Sequence, residues 1–102
     1  MIDKLLQIIN HYGLMKQLKY IHSEYFELDE AILEAERFEP KSFIQLNAGI
    51  KKYVEHIAEE LADIQVMLKQ FQYHYGITDE EIEKIMQYKI ERQLERIKEE
   101  GK

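Results

Sequence analysis

The sequence predicts an all-α protein: a bundle of about four helices with a long antiparallel central pair, completed by oligomerisation. The 102 residues include one proline and four scattered glycines, so long stretches contain no helix breaker. Apolar residues recur at steps of three and four, and no strand-like alternation is long enough to compete. Hydrophobic residues make up 45% and charged residues 33%, a composition typical of globular chains. We expect a single domain over residues 1–102.

A short first helix and a long second helix are predicted in the N-terminal part. The first runs from about Ile2 to Asn10, and Gly13 is expected to separate it from the next helix. The second runs from about Leu14 to Arg37. Its apolar residues alternate steps of four and three, which is the pattern of a heptad seam: Leu14, Leu18, Ile21, Tyr25, Leu28 and Ile32.

Two further helices follow a connection. The segment from Phe38 to Gly49 contains Pro40, and we expect a connection there with at most a short turn of helix. The third helix covers about Ile50 to Tyr75 and carries a second seam: Ile50, Val54, Ile57, Leu61, Ile64, Leu68, Phe71 and Tyr75. A capping box over 78–81 starts the fourth helix, which runs to about Glu99. Its inner stripe is predicted to be Ile82, Met86, Ile90, Leu94 and Ile97.

Charge and composition exclude several classes of protein. The net charge is −6, from 20 acidic and 14 basic residues, whereas duplex-binding proteins usually carry a basic face, so no nucleic-acid partner is expected. The absence of cysteine excludes disulfides, thiolate metal sites and a cysteine nucleophile. No secretory pattern and no apolar run of about 20 residues is present, so we expect a cytoplasmic protein with no membrane partner.

Two pairs of carboxylates flank the seams. Glu24 and Glu27 lie beside the seam of the second helix, and Glu60 and Asp63 have the same phase on the third. Residues three apart are neighbours on a helix surface, so the four groups can converge when the helices pack. Crowded carboxylates repel one another unless a cation compensates, and Mg²⁺ prefers such hard oxygen ligands, with Mn²⁺ as an alternative.

The same spacing also arises by chance in so acidic a chain. Glu27 and Glu30 share it, as do Glu80 and Glu83, and most such pairs only solvate a helix surface. Adjacency to a seam on two helices favours the metal interpretation over the solvated one.

The motifs resemble those of a known family. The stretch from Gly13 to Leu18, followed by Glu24-Tyr-Phe-Glu27, is similar to the opening of MazG-type nucleoside triphosphate pyrophosphohydrolases. Glu59-Glu60-Leu-Ala-Asp63 resembles the second half of the family pattern, and the basic stretch from Tyr88 to Arg92 lies where members often carry basic residues. The resemblance spans roughly residues 5–96.

The resemblance implies an enzyme and a set of site residues. Members are all-α, Mg²⁺-dependent, usually dimeric or tetrameric, and hydrolyse nucleoside triphosphates to the monophosphate and pyrophosphate. Carried over, the metal ligands would be Glu24, Glu27, Glu60 and Asp63, and either Glu24 or Glu27 would act as the general base. Lys89 and Arg92 would bind the triphosphate. Gln17, at a position that is polar in the family, would contact the base or sugar.

The chain departs from the family pattern in the length of one segment. The 32 residues between Glu27 and Glu60 are more than many members have, and the insert around Phe38–Ile50 is expected to reshape the nucleotide pocket.

The alternative function is a non-catalytic helical protein-interaction module, which would keep the seams and would not depend on Glu60 and Asp63. A di-iron carboxylate bundle is set aside because no histidine has a glutamate three residues before it.

Overall fold

The computed structural model describes residues 1–101 and contains four helices. They are α1 (Ile2–Tyr12), α2 (Leu14–Arg37), α3 (Phe43–His74) and α4 (Asp79–Glu100). No strand occurs within the described residues, so the all-α class is confirmed. Helices α1, α2 and α3 pack against one another, with the most extensive contact between α2 and α3. None of the described helices is long and apolar enough to cross a membrane.

The central pair is antiparallel, as predicted. Near the start of α2, Gln17 Nε2 donates a hydrogen bond to Gln70 Oε1 near the end of α3, at 2.9 Å. Just beyond the other end of α2, the ring of Phe38 lies 5.1 Å from the ring of Tyr53, in the first part of α3. Residue numbers therefore rise along α2 as they fall along the facing α3.

The third helix begins at Phe43, seven residues before its predicted start at Ile50. The Ser42 hydroxyl accepts a hydrogen bond from the Gln45 backbone N–H at 3.1 Å, which caps the helix. The Gln45 side chain in turn accepts from the Lys41 backbone N–H at 2.9 Å. The prediction of a connection up to Gly49 was wrong because this Ser-x-x-Gln signal starts a helix. The connection is only residues 38–42.

The buried stripe of α2 is offset from the predicted seam. The buried residues are Gln17, Ile21, Glu24 and Ala31. Three predicted seam residues, Leu18, Tyr25 and Ile32, are 44%, 43% and 41% exposed. The heptad pattern gave the correct period, but the true stripe includes positions one residue N-terminal to the seam.

The same offset occurs in α3. Its buried residues are Gly49, Glu60, Ile64, Met67 and Gln70. The seam residues that remain exposed are Ile50, Val54, Leu61, Leu68 and Tyr75. Like those of α2, most of them lie one position C-terminal to a buried residue. Since the helices are antiparallel, the two exposed rows lie on the same side of the pair. We call this side the open face, defined by Leu18, Tyr25, Ile32, Val54, Leu61 and Leu68.

The fourth helix has no inner stripe within this chain. None of its residues is buried, and it packs along its length against none of the other three helices. Of the residues predicted to face inward, Met86, Ile90, Leu94 and Ile97 are 49–61% exposed. The predicted inner stripe was therefore wrong for a single chain, because the turn after α3 directs α4 away from the body.

A polar cluster fixes that turn. The Asp79 carboxylate accepts hydrogen bonds from Lys69 Nζ at 3.1 Å, Gln72 Nε2 at 2.8 Å and the Tyr73 hydroxyl at 2.7 Å. These bonds, that from Tyr73 foremost, lower the pKa of Asp79 to about 2. Gly76 adopts φ +68°, a left-handed conformation that favours glycine. The cluster holds the base of α4 while the rest of the helix projects.

The chain exposes more surface than its mass requires. Its accessible surface is 8563 Å², against about 6,100 Å² expected for a compact monomer of 12.4 kDa. Its radius of gyration is 18.0 Å, against about 13 Å expected for a domain of this length. Both differences arise from the projecting α4 and the uncovered open face.

The contact between Phe38 and Gly49 gives a stability prediction. A Cβ on Gly49 would overlap the Phe38 ring. In Gly49→Ala the gain in helix propensity is about 1 kcal/mol, whereas overpacking costs about 1–3 kcal/mol. We expect a net loss of about 1 kcal/mol in the free energy of unfolding, measured by denaturant titration.

Asn47→Ala is the matched control, because Asn47 is exposed on the same turn of α3. It raises helix propensity without an overlap and should leave stability unchanged or slightly higher. A Gly49→Ala variant at least as stable as the parent would show that the Phe38 ring does not pack against Gly49 of α3.

Candidate metal centre

Three carboxylates meet where α2 and α3 face each other. One oxygen from each of Glu24, Glu60 and Asp63 lies within 4.8 Å of the others. Glu24 comes from the buried stripe of α2, and Glu60 and Asp63 come from adjacent turns of α3. Glu24 is 4% exposed and Glu60 9%, whereas Asp63 is exposed at the edge. The cluster is therefore reached from the side of Asp63.

The two buried glutamates each retain an unpaired oxygen. Glu24 Oε2 and Glu60 Oε2 are buried and have no hydrogen-bond partner. The other oxygen of Glu60 lies 3.4 Å from His56 Nε2. A buried polar atom without a partner costs about 1–3 kcal/mol, and more when it is charged. This cost, together with the repulsion between the carboxylates, is what a bound cation would remove.

The donor set fits a hard divalent ion. All three groups offer carboxylate oxygens, which suit Mg²⁺ and Mn²⁺ alike. Mg²⁺ typically takes few protein ligands and keeps several waters, so three carboxylates are a sufficient set. The structure thus brings together Glu24, Glu60 and Asp63 of the four ligands expected from the sequence.

The fourth expected ligand, Glu27, is not a member of this cluster. Its side chain is exposed on the next turn of α2. Its charge nevertheless contributes to the raised pKa of Tyr20, whose main causes are hydrogen bonding to the Glu24 carboxylate and the charge of Glu24. Glu27 therefore lies at the rim of the site, outside the three converging oxygens.

A cavity of about 600 Å³ adjoins the carboxylates. It lies between α1, α2 and α3 and is lined by Ile8, Tyr12, Lys16, Gln17, Lys19, Tyr20, Ser23, Val66, Met67 and Gln70. A recess of about 190 Å³ shares Tyr20, Val66 and Met67 with it and also contacts Glu24 and Asp63. The cavity and the carboxylates are therefore parts of one continuous region on the side of α1.

The structure places Gln17 in the wall of this cavity. The Gln17 side chain is buried, donates to Gln70 Oε1 at 2.9 Å and lies 3.9 Å from Met67 Sδ. Sequence reasoning did not identify Gln70, which is 1% exposed. Its position could have indicated it. Gln70 immediately precedes the seam residue Phe71, just as Asp63 immediately precedes the seam residue Ile64.

The expected triphosphate ligands lie apart from the carboxylates in a single chain. Lys89 and Arg92 line a groove of about 110 Å³ on α4, together with Gln93 and Arg96. Because α4 packs against none of the other helices, the structure does not bring these cations to the site. Lys16 and Lys19 lie closer to it, in the wall of the cavity.

No family model, curated protein or solved structure matches the chain.

The unpaired carboxylates predict opposite effects of one substitution with and without metal. Glu60→Gln keeps the side-chain shape, relieves repulsion and supplies an amide donor. Without divalent ions we expect it to stabilise the protein by about 1 kcal/mol, which raises the melting midpoint by about 4–8 °C. With Mg²⁺ at about 100 times its Kd, the parent gains about 2.7 kcal/mol and becomes the more stable protein.

Thermal melts in EDTA and in a Mg²⁺ series measure both effects. Asp29→Asn is the control, since Asp29 is exposed on α2 and outside the cluster, and it should leave the midpoint unchanged in both conditions. A parent whose midpoint does not respond to Mg²⁺ or Mn²⁺ would rule out a metal centre at these residues.

Proposed function

We propose that the protein is a Mg²⁺-dependent nucleoside triphosphate pyrophosphohydrolase, converting an NTP or dNTP and water to the monophosphate and pyrophosphate. The observation that carries the proposal is the pair of buried, unpaired oxygens of Glu24 and Glu60, which converge with Asp63 beside a cavity of about 600 Å³. Small-molecule sites commonly have volumes of about 300–1,000 Å³. The MazG-like motifs, which contain these carboxylates, support the same activity.

The chemistry divides between the ion and the residues of the chain. Glu24, Glu60 and Asp63 would hold the divalent ion, which would neutralise charge on the phosphate oxygens. A water attacks the α-phosphorus, the P–O bond to the bridging oxygen breaks, and pyrophosphate leaves. Glu27 accepts the proton of the water in this proposal, because it is exposed beside the cluster while Glu24 is buried within it.

The cavity supplies a place for the nucleoside. The Tyr20 ring is 54% exposed at the junction between the cavity and the carboxylates, where it can stack on a base. The Gln17 amide, held by Gln70, offers polar atoms in a mostly apolar wall. Such a wall with few polar groups is typical of sites that fix the orientation of a small molecule.

The alternative is a non-catalytic helical interaction module. The observation that favours it is the extent of unpartnered apolar surface on the open face and α4. Such a module has no use for buried, unpaired carboxylates, which destabilise the helix pair unless a cation is present. The two functions therefore differ in their response to divalent ions and to substitutions at Glu60 and Asp63.

Pyrophosphate release from a panel of ribo- and deoxynucleotides tests the activity. We expect Glu60→Gln and Asp63→Asn to abolish it while helicity is retained, because each removes the charge that a hard cation requires. The loss should exceed about 100-fold, the upper end of the effect of residues that only support a ligand. Asp29→Asn, exposed on α2 and outside the cluster, should retain the parent rate. Parent rates in both site variants would refute the assignment.

We also propose that the protein is a homodimer or homotetramer. The surface in excess of a compact monomer is about 2,400 Å² per chain, well above the roughly 800 Å² that each partner buries in a standard interface. The exposed apolar residues on the open face and α4 are the natural contacts.

Sedimentation at micromolar concentration is expected to show an oligomer. Leu68→Glu places a charge on the open face and should shift the chain toward the monomer, whereas Ala62→Glu, exposed on the outer side of α3, should not. A parent that sediments as a 12.4 kDa monomer would contradict the proposal.

A further inference from the structure

We propose that the triphosphate tail of the substrate lies along α3 toward Lys52 and His56, and that the nucleoside lies at the opposite end, beside Gln70. This assignment rests on the proposed function and extends it to the direction in which the nucleotide binds. It replaces the cations of α4 with a lysine from the same helix that carries Glu60 and Asp63.

The first observation is a single row of side chains on α3. The row steps by four and three without interruption: Lys52, His56, Glu59, Asp63, Val66 and Gln70. Residues so spaced lie on one face of a helix. Lys52 and Gln70 therefore lie on opposite sides of Asp63 along the same face.

The second observation is that the row connects two concave regions. Val66 and Gln70 line the cavity assigned to the nucleoside. At the other end a surface groove of about 420 Å³ is lined by Ala48, Lys51, Lys52, Glu55, His56 and Glu59. The metal centre lies between the cavity and the groove. A nucleoside triphosphate that is attacked at the α-phosphate has its parts in the same order: the nucleoside, the attacked phosphorus and then the β- and γ-phosphates.

The third observation is that His56 lines the groove and lies next to a carboxylate of the metal centre. It lines the groove, and its Nε2 lies 3.4 Å from Glu60 Oε1. At a helical rise of about 1.5 Å per residue, Lys52 lies about 12 Å along the axis from Glu60. An extended lysine side chain and the β- and γ-phosphates can together span that distance.

The charge of the groove indicates the form of anion it accepts. Two lysines are balanced by Glu55 and Glu59, so the groove does not favour a free polyanion. Pyrophosphate complexed with Mg²⁺ carries less negative charge than free pyrophosphate. The carboxylates can bind the Mg²⁺ of this complex while Lys52 binds its phosphate oxygens. We therefore expect binding of inorganic pyrophosphate to require the metal.

Calorimetric titration of the full chain with inorganic pyrophosphate, with and without Mg²⁺, tests the direction of binding. Lys52→Gln should raise the Kd for pyrophosphate at least tenfold in Mg²⁺, and Lys52→Arg should restore most of the affinity. The Kd of a nucleoside monophosphate that is a product of the parent enzyme should change less than twofold. Lys89→Gln is the matched control on α4 and should bind pyrophosphate like the parent.

The outcomes separate this inference from the proposed function. If the parent hydrolyses nucleotides but Lys52→Gln binds pyrophosphate within twofold of the parent, the direction is wrong and the enzyme assignment stands. Weaker binding in Lys89→Gln with unchanged Lys52→Gln would likewise overturn it and place the tail on α4. A parent that binds no pyrophosphate in Mg²⁺ and releases none from any nucleotide would overturn both.

Discussion

The burial of Glu24 and Glu60 between two antiparallel helices is the constraint on which the rest of the structure depends. The stripe that α2 and α3 share also contains the Gln17–Gln70 pair, so a large part of the interior is polar. The amides satisfy each other, but the carboxylates retain unpaired oxygens. In the absence of a cation, hydrophobic contact between the helices therefore has to compensate for these destabilising groups.

The polar stripe also explains the surface of the chain. Because polar side chains occupy inner positions, Leu18 and Tyr25 of the α2 seam and Leu61 and Leu68 of the α3 seam are turned partly outward. The same offset that buries the carboxylates thus creates the open face. The proposed metal binding and the proposed assembly therefore follow from the same helix phase, and each would supply free energy that the interior of a single chain lacks.

The sequence was sufficient to predict the all-α class, the helical period of the apolar residues and the antiparallel pairing. It was not sufficient to predict which face of each helix is buried. Steps of three and four identify a helix and its apolar side, yet Leu61 and Glu60 are adjacent positions and either can face the partner helix. That Glu24 lies on the same side of the helix pair as Glu60 and Asp63 was predictable, because residues of the same phase on antiparallel helices share a side; the burial of Glu24 and Glu60 was not. The early start of α3 was also readable, from Ser42 and Gln45, but was masked by the nearby proline and glycine.

The direction of α4 depends on the turn before it, and the periodicity of the apolar residues contains no information about that turn. The stripe from Ile82 to Ile97 has the spacing of an inward face, but Gly76 and the hydrogen bonds to Asp79 direct the helix outward. Lys89 and Arg92 therefore could not be placed by their sequence spacing to the carboxylates. By contrast, Lys52 shares a rigid helix with Asp63, so its relation to the site is fixed by helical geometry alone.

The open face and the carboxylate row lie on opposite sides of the buried stripe, which makes their roles separable. Leu61 and Leu68 follow buried positions by one residue, whereas Asp63 and Val66 precede them by one. A charge introduced on the first side faces away from the carboxylates, and neutralising a carboxylate on the second side leaves the apolar rows intact. In the proposed oligomer, a partner chain on the open face would leave the cavity beside α1 accessible, so that assembly and the proposed catalysis would not compete for the same surface of the helix pair.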